Sequence, residues 1–235
     1  MPEFRSYMTV DLVDMMGDER RIMDAAKIST LAGDAFRKVE EESKKQKDPA
    51  RFVRWLMREG HGSPFEHPIL TFYLEVPVFV SRQVVKYRHT SINEVSGRYS
   101  VLDSVYYLPG FYRPLRQIGK TGDYQFEQGS QEDQELVIEA MVKASNKADK
   151  VYKKMIEAGI AREVSRMVLP VNTYSQMVVT ANLREWLHFI AQRASEAPSH
   201  GQYEIAEVAD KIAEHIKDKF PNVWDEFYNS GFKSV

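Results

Sequence analysis

Two runs of β-branched and aromatic residues constrain this chain more than any other feature. Ile69 to Val76 sits between Pro68 and Pro77, and because proline cannot donate to a ladder, the strand is bounded on both sides. Thr173 to Ala181 reads as a second strand. Most of the remaining chain has helical periodicity or turn composition, which gives an α+β pattern in which strands interrupt many helices.

The helices carry their own punctuation. Asp18 to Lys27 opens on an acidic cap and ends near Ser29, and Asp48-Pro49 opens a helix through Glu59 that Gly60 stops. A helix from Val78 to His89 is expected directly after the first strand. Ser130, with Asp133 at the third capping-box position, begins a long helix to Ala158 with apolar residues at 137, 141, 144, 148, 151 and 155. Arg162 to Leu169 is a short helix stopped by Pro170, another opens at Asn182, and a last long one runs from about Gln202 to Lys219 and stops at Pro221. The alternating charges from Glu40 to Lys47 read as a solvated helix face. Pro109 to Gly129, rich in Gly, Pro and Arg, reads as a mobile loop. No repeat or low-complexity stretch divides the chain, so residues 1–235 are expected to form one domain.

Composition narrows the function classes. The 235 residues are 43% apolar and 28% charged, with a net charge of -2, so a core is affordable and a whole-surface nucleic-acid or membrane binder is disfavoured. No apolar run reaches membrane-spanning length, and the N-terminus lacks a signal-peptide pattern, so a cytoplasmic protein is expected. The chain has no cysteine, which excludes disulfides, thiolate metal ligands and thiol nucleophiles.

Against this near-neutral background, Arg82, Lys86, Arg88, His89 and Arg98 crowd one segment that holds a single carboxylate, Glu94. In a continuous helix Arg82, Lys86 and His89 would share a face and repel unless an anion lay between them. The following Asn93-Glu94-Val95-Ser96-Gly97-Arg98 joins a hydroxyl, a guanidinium and exposed N–H groups, a combination that can wrap a phosphate. A capped turn with a surface ion pair accounts for the same composition, and composition does not choose between them. His61, Glu66 and His67 do not read as metal ligands, because the histidines lie six apart with Pro64 between.

The order of these residues resembles the signature of the flavin-dependent thymidylate synthases, Arg-His-Arg, a spacer, then Ser-Gly-Arg-Tyr. Lys86-Tyr87-Arg88 stands in register with the leading triplet, His89 to Val95 with the spacer, and Ser96-Gly97-Arg98-Tyr99 with the end. Lys86 and Tyr87 therefore depart from the family's Arg and His, losing the bidentate fork and the titratable nitrogen. Gly60-His61-Gly62-Ser63-Pro64-Phe65-Glu66-His67 is similar to a second family element, and Ala25-Ala26-Lys27-Ile28-Ser29 to an early Ser-bearing one. Arg162 to Pro170 resembles the segment whose second Arg holds the nucleotide, which here is Arg166. The likeness runs from about Val10 to about Tyr228.

Arg193 also stands out without the resemblance. On a helix from Asn182, residues Leu183, Trp186, Leu187, Ile190 and Ala194 make one stripe, and Arg193 falls on that face. A charge there demands a partner. A snorkelling side chain or a buried ion pair would serve; the family reading supplies the uracil edge, with Arg193 favouring the N3-deprotonated base.

The resemblance implies helices packed around a small, mostly antiparallel sheet, assembled as a homotetramer with sites shared between subunits. It implies a methyltransferase that converts dUMP to dTMP for nucleotide biosynthesis, with 5,10-methylenetetrahydrofolate giving the carbon and NADPH-reduced FAD the reducing equivalents. Gln83, Lys86, Glu94, Val95, Ser96, Gly97, Arg98, Arg166 and Arg193 would surround dUMP, with Arg193 catalytic. Ser29, Ser63, Glu66, Lys86, Tyr87, Arg88, Glu94, Asn182, Leu183, Arg184, His188 and His200 would face the flavin. Ser96 lacks an adjacent base in the sequence and is assigned to phosphate binding rather than nucleophilic attack. The competing reading is a flavin- or nucleotide-binding relative of the same fold whose catalysis is altered, motivated by Lys86 and Tyr87.

Overall fold

The computed structural model describes residues 1–31, 34, 38, 39, 41, 44, 45, 48–120, 123–199 and 201–235. In chain order the elements are β1 (Glu3–Arg5), β2 (Thr9–Met16), α1 (Glu19–Ile28), α2 (Pro49–Arg58), a 3-10 turn (Ser63–Glu66), β3 (Ile69–Pro77), α3 (Val78–Val84), β4 (Thr90–Glu94) and β5 (Val105–Tyr107). There follow β6 (Arg116–Lys120), β7 (Asp123–Glu127), α4 (Gln131–Glu157), α5 (Arg162–Ser165), a 3-10 turn (Arg166–Val168), β8 (Tyr174–Asn182), α6 (Leu183–Arg193), α7 (Tyr203–Lys219) and α8 (Pro221–Asn229). Mixed helix and sheet is thus observed. Four strands order as β2-β3-β8-β4, β6 and β7 form an antiparallel ladder, and β1 pairs β5 in parallel.

The chain divides into two compact units. One comprises Met1–Met8, Glu75–Arg82 and Glu94–Gln176; the other comprises Thr9–Leu74, Gln83–Asn93 and Met177–Val235. In the second, Phe72 meets Trp186 edge to face at 5.0 Å, and the Trp186 indole N–H donates to the Leu70 carbonyl at 3.2 Å. Leu183, Leu187 and Ile190 of α6 and Ile205, Val208, Ile212 and Ile216 of α7 are buried in the same unit, as their helical spacing requires. In the first unit the interior is more polar. The buried Asn172 amide donates to the Tyr107 carbonyl at 2.9 Å and to Ser145 Oγ at 3.2 Å, and the Leu102 N–H donates to Tyr152 Oη at 2.9 Å.

The caps appear where the sequence put them. Asp18 accepts from the N–H groups of Arg20 and Arg21, Asp48 accepts from that of Arg51, and Ser130 and Asp133 form a reciprocal capping box. Three expectations need correction. The helix after β3 stops at Val84, because Lys86 and Tyr87 tighten into i to i+3 bonds and the Thr90 hydroxyl donates to the Tyr87 carbonyl at 2.6 Å. Consequently Arg82, Lys86 and His89 share no helical face. The segment 109–129 contains the β6/β7 hairpin, tied to α4 by a two-pronged Arg116–Asp133 pair at 2.7 and 3.0 Å. The buried side of α4 is Gln134, Ser145, Asp149 and Tyr152 rather than the 137-to-155 apolar series. The long helix does stop before Pro221, and Pro221 opens the further short helix α8, where Glu19 accepts from the N–H groups of Asn222 and Val223. The Glu40 to Lys47 reading falls largely on residues outside those described, Glu40, Glu42, Ser43, Gln46 and Lys47.

Candidate active site

The signature loop lies in the first unit. Ser96 organises it as a turn: its carbonyl accepts from the N–H groups of Tyr99 and Ser100 at 3.0 and 3.1 Å, and its hydroxyl accepts from that of Arg98 at 3.3 Å. Gly97 is required by close approach, since a Cβ there would stand 2.9 Å from a Leu102 methyl and 3.0 Å from Arg166 Cδ. The loop and the Arg166 stem are therefore packed on one another. Arg98 pairs with Glu163 at 3.2 Å and lies over the Tyr99 ring at 5.7 Å, and Arg162 donates to the Tyr99 carbonyl at 3.0 Å. Both Arg98 and Arg166 are exposed, so the turn presents two guanidinium groups, whose charge and paired donors suit a phosphate dianion. Glu94 at the end of β4 accepts from the Ser175 hydroxyl at 2.6 Å, and Val95 is exposed beside it.

The second cluster belongs to the other unit. Arg193 ends α6, and its Nε donates to Tyr87 Oη at 3.0 Å while its guanidinium lies 5.9 Å above the Tyr87 ring. Tyr87 is only 9% exposed and meets Phe189 edge-on at 4.8 Å and His188 at 5.9 Å. Burial pushes the Tyr87 phenol above its usual range, opposed by the Arg193 charge, so the hydroxyl is protonated at neutral pH. The main chain of Arg193 is tightly covered as well. A Cβ on Gly201 would stand 2.7 Å from the Arg193 carbonyl oxygen, an approach only glycine permits.

Near this cluster in sequence but turned outward, Lys86, Arg88 and His89 are exposed. The Gln83 amide donates to Gln202 Oε1 at 2.7 Å. A polar cavity of about 510 Å³ in the same unit is lined by Glu66, His89, Asn182, Arg184, Glu185 and His188 together with Ser234 and Val235. It thus gathers four of the residues assigned to the flavin. Within it Arg184 pairs with Glu66 at 2.5 Å, and the Asn182 side chain caps α6 by accepting from the Glu185 N–H at 2.9 Å. Leu183 is buried beneath, Ser63 is exposed at the 3-10 turn, and the Ser29 hydroxyl donates to the Ala26 carbonyl at 2.8 Å at the end of α1. His200 lies outside the described residues.

Sequence reasoning missed Gln202, Ser175 and Glu163, which orient Gln83, Glu94 and Arg98. Only Glu163 had a signal, being next to Arg162 in the motif; Gln202 and Ser175 act across 119 and 81 positions.

Residues 11–222 match the family model described as "Thymidylate synthase complementing protein". The flavin-dependent thymidylate synthase of Tropheryma whipplei (strain TW08/27) is 42% identical over 234 residues, 98% of this chain and 96% of that one. That of Streptomyces avermitilis is 37% identical over 235 residues, 98% of this chain and 94% of its own length. Among solved structures, a UMP/dUMP methylase, PolB, from Streptomyces cacaoi bound with 5-Br UMP matches with a TM-score of 0.89 at 36% identity, covering 100% of this chain and 99% of that one.

Proposed function

We propose a reading that starts from family membership: this chain belongs to the thymidylate synthase complementing family, and it is a flavin-dependent thymidylate synthase, a methyltransferase that acts on dUMP. The observation that carries the reading is the Ser96-Gly97-Arg98 turn closed on Arg166, because the packing demands glycine and brings two exposed guanidinium groups to one turn. The altered-catalysis alternative is not favoured, since the matched relatives of near-equal length are named for the synthase activity.

The finer assignment follows the chemistry of the residues. Ser96, Gly97, Arg98 and Arg166 hold the phosphate of dUMP; Gln83, Lys86, Glu94 and Val95 contact the nucleotide; and Arg193 faces the uracil edge. With no cysteine in the chain, the ring cannot be activated by thiolate addition at C6. Activation instead falls to Arg193, whose charge favours loss of the N3 proton and so pushes electron density toward C5.

The residues present fit a flavin. The cavity by Glu66 is roomy, and Arg184, His188 and the Asn182 amide on its wall are donor types that match the carbonyl, ring-nitrogen and phosphate acceptors of a flavin. Ser29, Ser63, Glu66, Lys86, Tyr87, Arg88, Glu94, Leu183 and His200 complete the assignment. When bound, FAD supplies reducing equivalents renewed by NADPH, and methylenetetrahydrofolate supplies only the carbon.

A homotetramer with shared sites is supported by apolar surface that the single chain leaves uncovered: Leu136 is 67% exposed and Met167 76%, with Ile138 and Val171 also exposed. We take residues 1–235 as one synthase unit working in the cytoplasm; no described helix is long and apolar enough to cross a membrane. The test is dTMP formation from dUMP with methylenetetrahydrofolate, NADPH and FAD. Turnover indifferent to thiol-alkylating reagents is expected. No dTMP from a preparation whose absorbance shows a filled flavin site would overturn the reading.

A further inference from the structure

Tyr87 stands where the family pattern has histidine, and the structure gives its hydroxyl a specific task. Its oxygen accepts from Arg193 Nε at 3.0 Å, and its ring lies under the same guanidinium at 5.9 Å. The ring cannot drift, because Phe189 packs against it at 4.8 Å and His188 at 5.9 Å, and the residue is nearly fully buried. On the other side Gly201 presses on the Arg193 carbonyl. Arg193 is thus fixed at its backbone and at one named nitrogen.

A guanidinium has five N–H donors in one plane, and it binds planar acceptors two at a time. With Nε committed to Tyr87, the paired edge left for a ligand is the terminal one, Nη1 and Nη2. Two adjacent in-plane acceptors suit that edge, and a uracil deprotonated at N3 offers them as N3 with a neighbouring carbonyl oxygen. A neutral uracil offers a donor at N3 instead, so it meets the same edge with one matched contact and one mismatch.

We propose that Tyr87 is the positioning residue for Arg193, engaging Nε so that the terminal guanidinium edge selects the N3-deprotonated form of the uracil ring. The assignment rests on the reading that Arg193 faces the base. It makes the tyrosine a functional replacement at the family's histidine position, because a neutral imidazole nitrogen can also accept from Nε.

The test uses the flavin-loaded protein with Tyr87→Phe, Tyr87→His and Arg193→Lys, kinetics with dUMP, and the 15N shift of N3 in labelled dUMP bound to each. Losing a hydrogen bond to a charged group is expected to lower kcat/KM for dUMP by about 10-fold to 100-fold in Tyr87→Phe, with flavin content and melting temperature near those of the parent. Bound dUMP should carry the N3-anion signature in the parent, lose it in Tyr87→Phe and largely recover it in Tyr87→His. Parental kcat/KM and an unchanged N3 shift in Tyr87→Phe, beside a crippled Arg193→Lys, would overturn the role of Tyr87 alone. Parental behaviour of Arg193→Lys as well would overturn the base-facing reading on which it rests. Loss of flavin from Tyr87→Phe and Tyr87→His alike would also overturn the proposal, because the defect would then trace to the residue's flavin contact rather than to its hold on Arg193.

Discussion

The two arginine groups of this protein are held in opposite ways. Arg98 and Arg166 stand exposed, one in an ion pair with Glu163 and the other packed by its stem against Gly97, within reach of solvent and salt. Arg193 is half-buried, and its partner is a neutral phenol rather than a carboxylate. An exposed pair costs little to exchange for a phosphate, because its net contribution is at most about 1 kcal/mol. A guanidinium held by a neutral group keeps its full positive charge for whatever enters beside it, in surroundings that screen less. The first arrangement suits capture of an anion, and the second suits shifting the charge of a bound base.

The comparison breaks most readily at Arg193. Arg193→Ala is expected to reduce turnover by about 10³-fold, the size of a lost charge-stabilising donor, with the far-ultraviolet spectrum and flavin content retained; steady-state kinetics check it, and activity within a few-fold of the parent would erase the contrast. Arg166→Ala is expected to act on the other parameter, raising KM for dUMP about 10-fold to 100-fold with a much smaller change in kcat. A fall in kcat equal to that of Arg193→Ala would mean that the two groups do one job.

The smallest effect belongs to an ion pair outside both clusters. The Arg116 guanidinium, with the Ser130 N–H, holds the Asp133 carboxyl down from 3.8 to about 2. A carboxylate lowered on folding contributes stability that is present above its unfolded value and lost as pH falls from about 4 through about 2. Arg116→Ala should therefore flatten the fall in melting temperature between about pH 5 and pH 2.5. Because the pair is open to water, the change should be slight, and an effect rivalling a core substitution would contradict this accounting.

What could be read from the sequence was local. Asp18, Asp48 and the Ser130–Asp133 box bond to N–H groups two or three residues away, so spacing alone reveals them. The strand from Ile69 and the stripe on α6 follow from periodicity. The β6/β7 hairpin was hidden because its described side chains are exposed and give no alternation to detect. The bond between Tyr87 and Arg193 was hidden too, since nothing near Tyr87 in sequence points to a residue 106 positions away. Likewise the short helix after Pro221 went unseen because the carboxylate that binds its first N–H groups, Glu19, lies 203 positions earlier. The candidate site residues stand out by motif, whereas their partners depend on chain pairings that no short window contains.

We propose that the exposed loop with Arg166 captures the phosphate while Arg193 reads the base, and the salt dependence of dUMP affinity tests that division most directly. Measured on flavin-loaded protein from about 50 to 500 mM salt, where screening of exposed charges deepens, affinity should fall steeply for the parent and equally steeply for Arg193→Ala, but clearly less steeply for Arg166→Ala, which keeps only Arg98. A slope undiminished in Arg166→Ala and lost in Arg193→Ala would contradict the account.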